Sequence, residues 1–290
     1  MIDTHNHLIF GVDDGASSIA MSLAMAREAA AEGVTRIVCT PHASDQFPYN
    51  KALIEERFAE LKDRLEPEIQ LSLGCEMHLT ADNIFEAKEN PLRYSMDNRG
   101  YLLVEFANQS IPSQMFNALS ALRDAGYTVI VAHPERYPAV ARRPELVGMW
   151  LRRGCLMQVT AGSLYGRFGR TAESLANEML DRNWIHFVAS DAHDVKWRPP
   201  HLKKSYAYIA NRAGEETAHR LLVTNPDAAV SGVRWPQQPE PEGLLEHVPL
   251  AVAAGTPPIR SSSQVANSKE EHPKYRRKGL LERLFHGVQY

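Results

Sequence analysis

Gly33-Val34-Thr35-Arg36-Ile37-Val38-Cys39-Thr40-Pro41-His42 follows an Ala- and Met-rich stretch, residues 18–32, and shows the unit from which the chain is built. The glycine stops a helix. Residues 34–40 have the length and bounding of a buried parallel strand. A histidine stands where that run ends. The same order recurs along the sequence. Apolar runs fall at residues 1–5, 34–40, 69–75, 101–106, 128–132, 155–160 and 186–190. Between them lie stretches of helical spacing at 18–32, 51–65, 113–125, 144–153, 170–182 and 201–213. In 51–65, Leu53, Ile54, Phe58, Leu61 and Leu65 share one face; Gly126 and Gly154 close 113–125 and 144–153. Alternation of strand and helix predicts an α/β fold, with seven units suggesting a closed or nearly closed barrel and a doubly wound open sheet as its rival.

Composition narrows the classes. The 290 residues are 44% hydrophobic and 23% charged, an ordinary globular mixture. A formal net charge of -3 gives no global field toward nucleic acid. No apolar run reaches membrane-spanning length. The first residues, MIDTHNHLIF, carry Asp and His where a signal peptide needs a basic start and an apolar core, which places the chain in the cytoplasm. The three cysteines, Cys39, Cys75 and Cys155, are far apart with apolar neighbours, so they read as buried free thiols. A cysteine-dependent phosphatase loop needs an arginine six residues after its cysteine. Those positions hold Asp45, Ala81 and Ala161, so no such nucleophile exists.

Metal-type residues gather where the runs end. His5 and His7 close the first, His42 the second, Glu76 the third, His133 the fifth, and Asp191 with His193 the seventh; Glu105 lies late in the fourth. Six of the seven runs thus deliver such a group at the carboxyl end, the face on which α/β barrels build active sites. Residues two apart on a strand point the same way, so His5 with His7, and Asp191 with His193, can each chelate one ion. Imidazole suits borderline cations and carboxylates bridge them. Several carboxylates at one mouth call for two or three divalent ions, the arrangement that clamps both oxygens of an in-line phosphoryl displacement and supplies a metal-bound hydroxide. Glu105 has a structural alternative as a buried, hydrogen-bonded carboxylate. One of Asp13 and Asp14 has an alternative as a turn or N-cap residue. His78, His186, His201, His219, His247, His272 and His286 lack the strand-end placement and are unassigned.

The set His5-x-His7, Asp14, His42, Glu76, His133 and Asp191-x-His193 resembles the polymerase-and-histidinol-phosphatase (PHP) superfamily. Within it, the stretches Val-Asp-Asp-Gly-Ala, Thr-Pro-His, Gly-Cys-Glu, Val-Glu-Phe, His-Pro-Glu-Arg-Tyr and Ala-Ser-Asp-Ala-His, with Arg198-Pro-Pro, resemble the bacterial capsule-type metal-dependent protein tyrosine phosphatases. The resemblance covers residues 1–232. It implies a distorted seven-stranded (β/α) barrel holding up to three ions, often manganese, with iron, zinc, cobalt or magnesium as alternatives. It places His5, His7, Glu76 and Asp191 on one ion, Glu76 and His133 on a second, and His42, Glu105 and His193 on the third. Asp14 resembles a metal-neighbouring acid or proton carrier. Arg136 and Arg198 match phosphate-gripping positions, as a guanidinium that forks onto two oxygens would; their structural alternative is a surface pair with Glu135 or Asp194. The loop 43–50, with Phe47, Pro48 and Tyr49, is the expected place of substrate-facing variation.

The implied activity is hydrolysis of phosphotyrosine on a protein, a membrane-associated tyrosine kinase controlling capsule or exopolysaccharide synthesis. A small-molecule phosphatase acting on histidinol phosphate is the alternative, and a non-enzymatic PHP-like scaffold a third reading. Self-association is open. The composition changes near Trp235, so residues 1–235 are expected to form the metallophosphoesterase domain. Residues 236–278 read as a mostly disordered Pro/Ser/Glu-rich linker. The end, 274–289, is basic and amphipathic, suited to a partner's groove or an anionic membrane surface. Packing on its own domain or on a neighbouring subunit, or disorder, are its alternatives.

Overall fold

The computed structural model describes residues 1–90, 92–106 and 115–244. Among these described residues nine strands run in chain order: β1 Ile2–Asn6, β2 Arg36–Cys39, β3 His42–Ala43, β4 Gln70–Leu73, β5 Glu76–His78, β6 Tyr101–Glu105, β7 Thr128–Ala132, β8 Leu156–Thr160 and β9 Phe187–Ala189. All paired strands are parallel, in one sheet of order β1-β2-β4 and another of order β3-β5-β6-β7-β8-β9. The fold is therefore α/β with parallel sheets, as expected.

Two of the expected seven strands are broken. The run 34–40 ends at Cys39 and resumes at His42, and the run 69–75 ends at Leu73 and resumes at Glu76. Pro41 cannot donate to a ladder, and the neighbouring backbones cross the break through Gly74 N to Cys39 O (2.8 Å) and Glu76 N to Pro41 O (3.1 Å). The offset changes sheets and turns His42 and Glu76 toward the same space. On the other flank, Asp191 N donates to His5 O and His7 N to Ala192 O, both at 2.9 Å, so the segment after β9 lies beside β1. Buried Asp3 reinforces that seam: its Oδ1 accepts Ser190 N at 2.9 Å, and Oδ2 accepts Asn6 Nδ2 at 2.9 Å.

β1, β8 and β9 are buried along their whole lengths, which accounts for their unalternating apolar runs. Helices cover them. Ile19–Ala31 is capped by Ser18, whose side chain accepts Met21 N, and Gly33 follows at φ 88. Lys51–Leu65 keeps its expected bounds, with Ile54, Leu61 and Leu65 buried. The described part of 113–125 is the helix Met115–Asp124. Helices at Ala81–Glu89 and from Glu215 to Ser231 were not expected; they occupy stretches whose apolar spacing is short. Trp150 is fully buried and stacks on Phe106 at 5.1 Å.

Residues 236–244 do not leave the domain. Gln238 exchanges side-chain hydrogen bonds with Asn225 (2.8 and 3.0 Å), Glu242 O accepts Trp184 Nε1 (2.9 Å), and Glu242 N donates to Arg182 O (2.9 Å). The rest of the expected linker and the amphipathic end, 245–290, lie outside the described residues. No helix among the described residues is long and apolar enough to cross a membrane.

Candidate metal centre

Strand ends bring the eight expected ligands into one cluster, six of them lining a single cavity, and Glu76 stands at its middle. Its Oε2 lies 3.1 Å from His5 Nε2, 3.3 Å from His7 Nε2 and 3.2 Å from His42 Nδ1, while its Oε1 lies 2.9 Å from His133 Nε2. Asp191 Oδ1 sits 3.4 Å from His5 Nε2 and 3.6 Å from His7 Nε2. Asp14 Oδ1 lies 3.4 Å from Nε2 of both His42 and His193. Glu105 Oε1 is 3.8 Å from His133 Nε2. Donor atoms that could share an ion group as His5, His7 and Glu76; His5, His133 and Asp191; Glu76, Glu105 and His133; His7, Asp14, His42 and His193; and His42, His78 and Glu105. Glu105 thus falls with Glu76 and His133, or with His42 as the resemblance implied and His78, whereas it is Asp14 that groups with His42 and His193 together.

The rings are aimed from behind. His5 Nδ1 donates to Gln158 Oε1 at 2.8 Å and His7 Nδ1 to Asp13 Oδ2 at 2.8 Å, an assignment that fits this network and turns both Nε2 atoms inward. Asp13 also accepts His42 N (3.1 Å) and Gly15 N (3.0 Å), so the turn role considered for the Asp13-Asp14 pair belongs to Asp13. Gly15 passes so close to the residue after β1 that an added Cβ would meet His7 Cβ and His7 O at 2.3 Å; only glycine fits behind this imidazole. His133 (φ 31) and Asp191 (φ 54) hold left-handed backbone, a cost of about 1–3 kcal/mol each that the surrounding structure must sustain.

The electrostatics define what the centre can hold. Burial opposes charge on Glu76 and Asp191, yet His5 with His42 for the first, and His5 with Arg198 and Arg136 for the second, hold both carboxyls well below their usual range. Burial likewise pulls the imidazoles down, but carboxylates outweigh it: Asp13 chiefly raises His7 to about 9, and Glu76 chiefly raises His42 to about 9. His193 goes the other way, to about 4, because burial and the charge of His7 exceed the pull of Asp14. Protons on imidazoles therefore balance the buried carboxylates. Asp191 Oδ1 and His42 Nδ1 are buried with no hydrogen-bond partner, as befits a donor set made for cations. The residues fit a cluster of divalent ions.

Arg136 Nη1 and Arg198 Nη2 both contact Asp191 Oδ2, the latter at 2.5 Å. Neither side chain pairs with Glu135 or Asp194; Glu135 instead accepts Thr160 N (3.0 Å) and Ser163 Oγ (2.7 Å). Both guanidiniums line the cavity of about 330 Å³, as do Ser44, Gln46 and Phe47 of loop 43–50. Cys39, Cys75 and Cys155 are buried free thiols, each pushed up by burial, and serve no nucleophilic role. Two partners, His78 and Gln158, escaped sequence reading, and so did the contact of Asp13 with His7. His78, 2.7 Å from Glu105, carried a usable signal, since Glu76-x-His78 repeats the spacing of His5-x-His7. Gln158 carried none, and Asp13 carried only its turn signal, because their roles behind the histidines arise from contacts between segments.

An α/β fold of parallel strands with a histidine–carboxylate cluster at the strand ends defines the class as one with cation-binding chemistry. The chain belongs to the family described as capsular polysaccharide synthesis, CpsB/CapC, which matches residues 1–231. CapC of Staphylococcus aureus is 36% identical over 235 residues, covering 78% of this chain and 92% of that protein. A structure from work on YwqE of Bacillus subtilis and CpsB of Streptococcus pneumoniae, described as metal-dependent tyrosine phosphatases, is 31% identical with a TM-score of 0.76, covering 83% of this chain and 99% of that one. A histidinol phosphate phosphatase of Lactococcus lactis, 15% identical with a TM-score of 0.52 over 76% of this chain and 94% of that one, shares the fold alone.

Proposed function

We propose that the chain is a metal-dependent protein-tyrosine-phosphatase, manganese its preferred ion, acting on a tyrosine kinase that regulates capsule or exopolysaccharide synthesis. The observation that carries this reading is the convergence of four imidazoles on the two oxygens of buried Glu76. Family membership and the metal-dependent tyrosine phosphatases it resembles support the reaction class. We read the two sheets as arcs of a distorted seven-stranded barrel, β2 with β3 and β4 with β5 each forming one broken strand. The hydrogen bonds between β1 and the segment after β9 support closure.

His5, His7, Glu76 and Asp191 would hold one ion, Glu76, Glu105 and His133 a second, and Asp14, His42 and His193 a third. Bound divalent cations would acidify a water and neutralise charge on the phosphoryl group. Arg136 and Arg198 would then grip phosphoryl oxygens by bidentate, charge-assisted hydrogen bonds, with Asp191 fixing their approach. Asp14 is half exposed and its carboxyl is held low, chiefly by His193 and His42 against burial, so it would stay ionised at the cavity mouth, a carboxylate ready to face a cation. Gln158 and Asp13 keep His5 and His7 in ligating orientation. The complete donor set argues against a scaffold without activity, and only shared fold speaks for a histidinol phosphatase.

The test compares phosphotyrosine peptides with histidinol phosphate on protein stripped by chelation and reloaded with manganese. Release of phosphate from the peptides, well above that from histidinol phosphate, is expected. The reverse order would replace this reading with the small-molecule one.

A further inference from the structure

Loop 194–200 joins the catalytic cavity to a second groove. Arg198 lines the cavity, and its neighbour Trp197 stands out into solvent, 73% exposed. The indole is presented on a rigid support. Asp194 Oδ1 accepts the backbone N–H groups of Lys196 and Trp197, both at 2.5 Å, and Arg167 Nη2 donates to Trp197 O at 2.5 Å. Arg167 in turn lines a groove of about 460 Å³ with Tyr165, His201, Lys203 and Lys204. Lys196 Nζ sits 5.2 Å from the Trp197 ring and Lys204 Nζ 3.9 Å from the Tyr165 ring.

The charges here are unbalanced. His201 is occupied by Glu28 at 2.5 Å, and Glu32 Oε2 accepts Lys203 N at 3.1 Å. Among the described residues, Arg167, Lys196, Lys203 and Lys204 are in no ion pair. A fixed, exposed tryptophan amid unpaired cations has the composition of a binding hot spot. It lies one residue from Arg198, which lines the cavity, so a protein segment seated there is within reach of it.

We propose that Trp197, with Arg167, Lys196, Lys203 and Lys204, is a docking surface for acidic residues flanking the phosphotyrosine of the substrate protein. This rests on the proposed phosphatase activity. The indole covers apolar portions of the bound segment, and the cations pair with its carboxylates. Such a surface adds affinity for protein substrates and leaves hydrolysis of a small ester unaltered.

The experiment uses the full, manganese-loaded chain, as wild type, Trp197→Ala and Lys203→Glu/Lys204→Glu. Binding is measured for phosphonate analogues of a phosphotyrosine peptide with acidic flanks and of one with neutral flanks. Turnover is measured on the corresponding phosphopeptides and on p-nitrophenyl phosphate. Wild type should bind the acidic analogue about tenfold more tightly than the neutral one, a preference shrinking with salt. Each variant should lose most of that preference through KM, with p-nitrophenyl phosphate turnover unchanged. Equal binding by wild type and variants would overturn the docking surface. So would variants that lose binding to phosphatidylserine vesicles but keep the acidic peptide, since the patch would then serve a membrane. If the acidic analogue binds through Trp197 yet no aryl phosphate is hydrolysed, the docking surface stands and the phosphatase reading falls.

Discussion

Asp13 Oδ2 accepts a hydrogen bond from His7 Nδ1 at 2.8 Å, and the same oxygen accepts the backbone N–H of His42 at 3.1 Å. One buried carboxylate thus orients one candidate ligand and anchors the strand that carries another. An amide in its place keeps one acceptor oxygen and turns an NH₂ toward donors. Asp13→Asn should therefore lower metal affinity by about 10–100-fold, as loss of such outer partners does. Metal titration of the stripped protein measures this, and turnover should recover as metal is raised. Unchanged affinity would remove the role assigned to Asp13.

Chelation should abolish phosphate release, and manganese should restore it better than magnesium, because imidazole-rich sites favour the borderline ion. The buried thiols lead us to expect weak inhibition by orthovanadate compared with cysteine-dependent enzymes. Full turnover in excess chelator would end the metal reading.

His7→Ala and Glu76→Gln each disturb the point where ligands converge, and such groups act as a unit. Turnover should fall by on the order of 10⁴ in either variant. Arg198→Ala should behave differently, raising KM about 10–100-fold as a charge-assisted phosphate contact is lost, with metal content kept. Elemental analysis of the three variants separates the classes; a metal-free Arg198→Ala protein would contradict its proposed role.

The metal-free protein should lose stability as the pH rises from about 6.5 to 9. His7 and His42 are raised to about 9 in the folded chain, so their contribution is complete below the unfolded value of about 6.5 and disappears as pH climbs through the folded one. Metal competes with those same protons, so its affinity should increase over this interval. His193, lowered to about 4, costs stability as pH falls from about 6.5 toward 4. Thermal melting of chelated protein across pH tests the sign. A melting temperature that climbs between pH 6.5 and 9 would show that these imidazoles are not paired with the carboxylates as described.

Shortening the chain separates the packed segment 236–244 from residues 245–290. A protein ending at Leu244 keeps the contacts of Gln238 and Glu242 and should hydrolyse p-nitrophenyl phosphate at the full-length rate. Ending at Trp235 removes several hydrogen bonds worth about 1 kcal/mol each, so melting should drop by roughly 5–10 °C. If residues 245–290 recruit a partner kinase, the protein ending at Leu244 will dephosphorylate that kinase more slowly. Equal rates would exclude recruitment.

The sequence by itself determined the α/β order, the helix stops at Gly33, Gly126 and Gly154, and the candidate ligands. These are local signals: a glycine ends a helix, a strand points alternate residues the same way, and polar groups after an apolar run fall at one end of it. Metal-type residues were therefore legible one strand at a time. What joins them was not. Glu76 became the centre because breaks at Pro41 and Gly74 turn two strands inward; the proline and the glycine mark where a ladder can break, but not that the chain resumes in a second sheet. Gln158 behind His5 is separated from it by 153 residues, and its amide looks like any other until β8 is laid beside the site. Residues 236–244 have a linker's composition yet pack, since a few backbone and amide hydrogen bonds to Arg182, Trp184 and Asn225 hold them without an apolar period. Only the tertiary structure decides such matters, because the energy of each lies between segments that the chain keeps far apart.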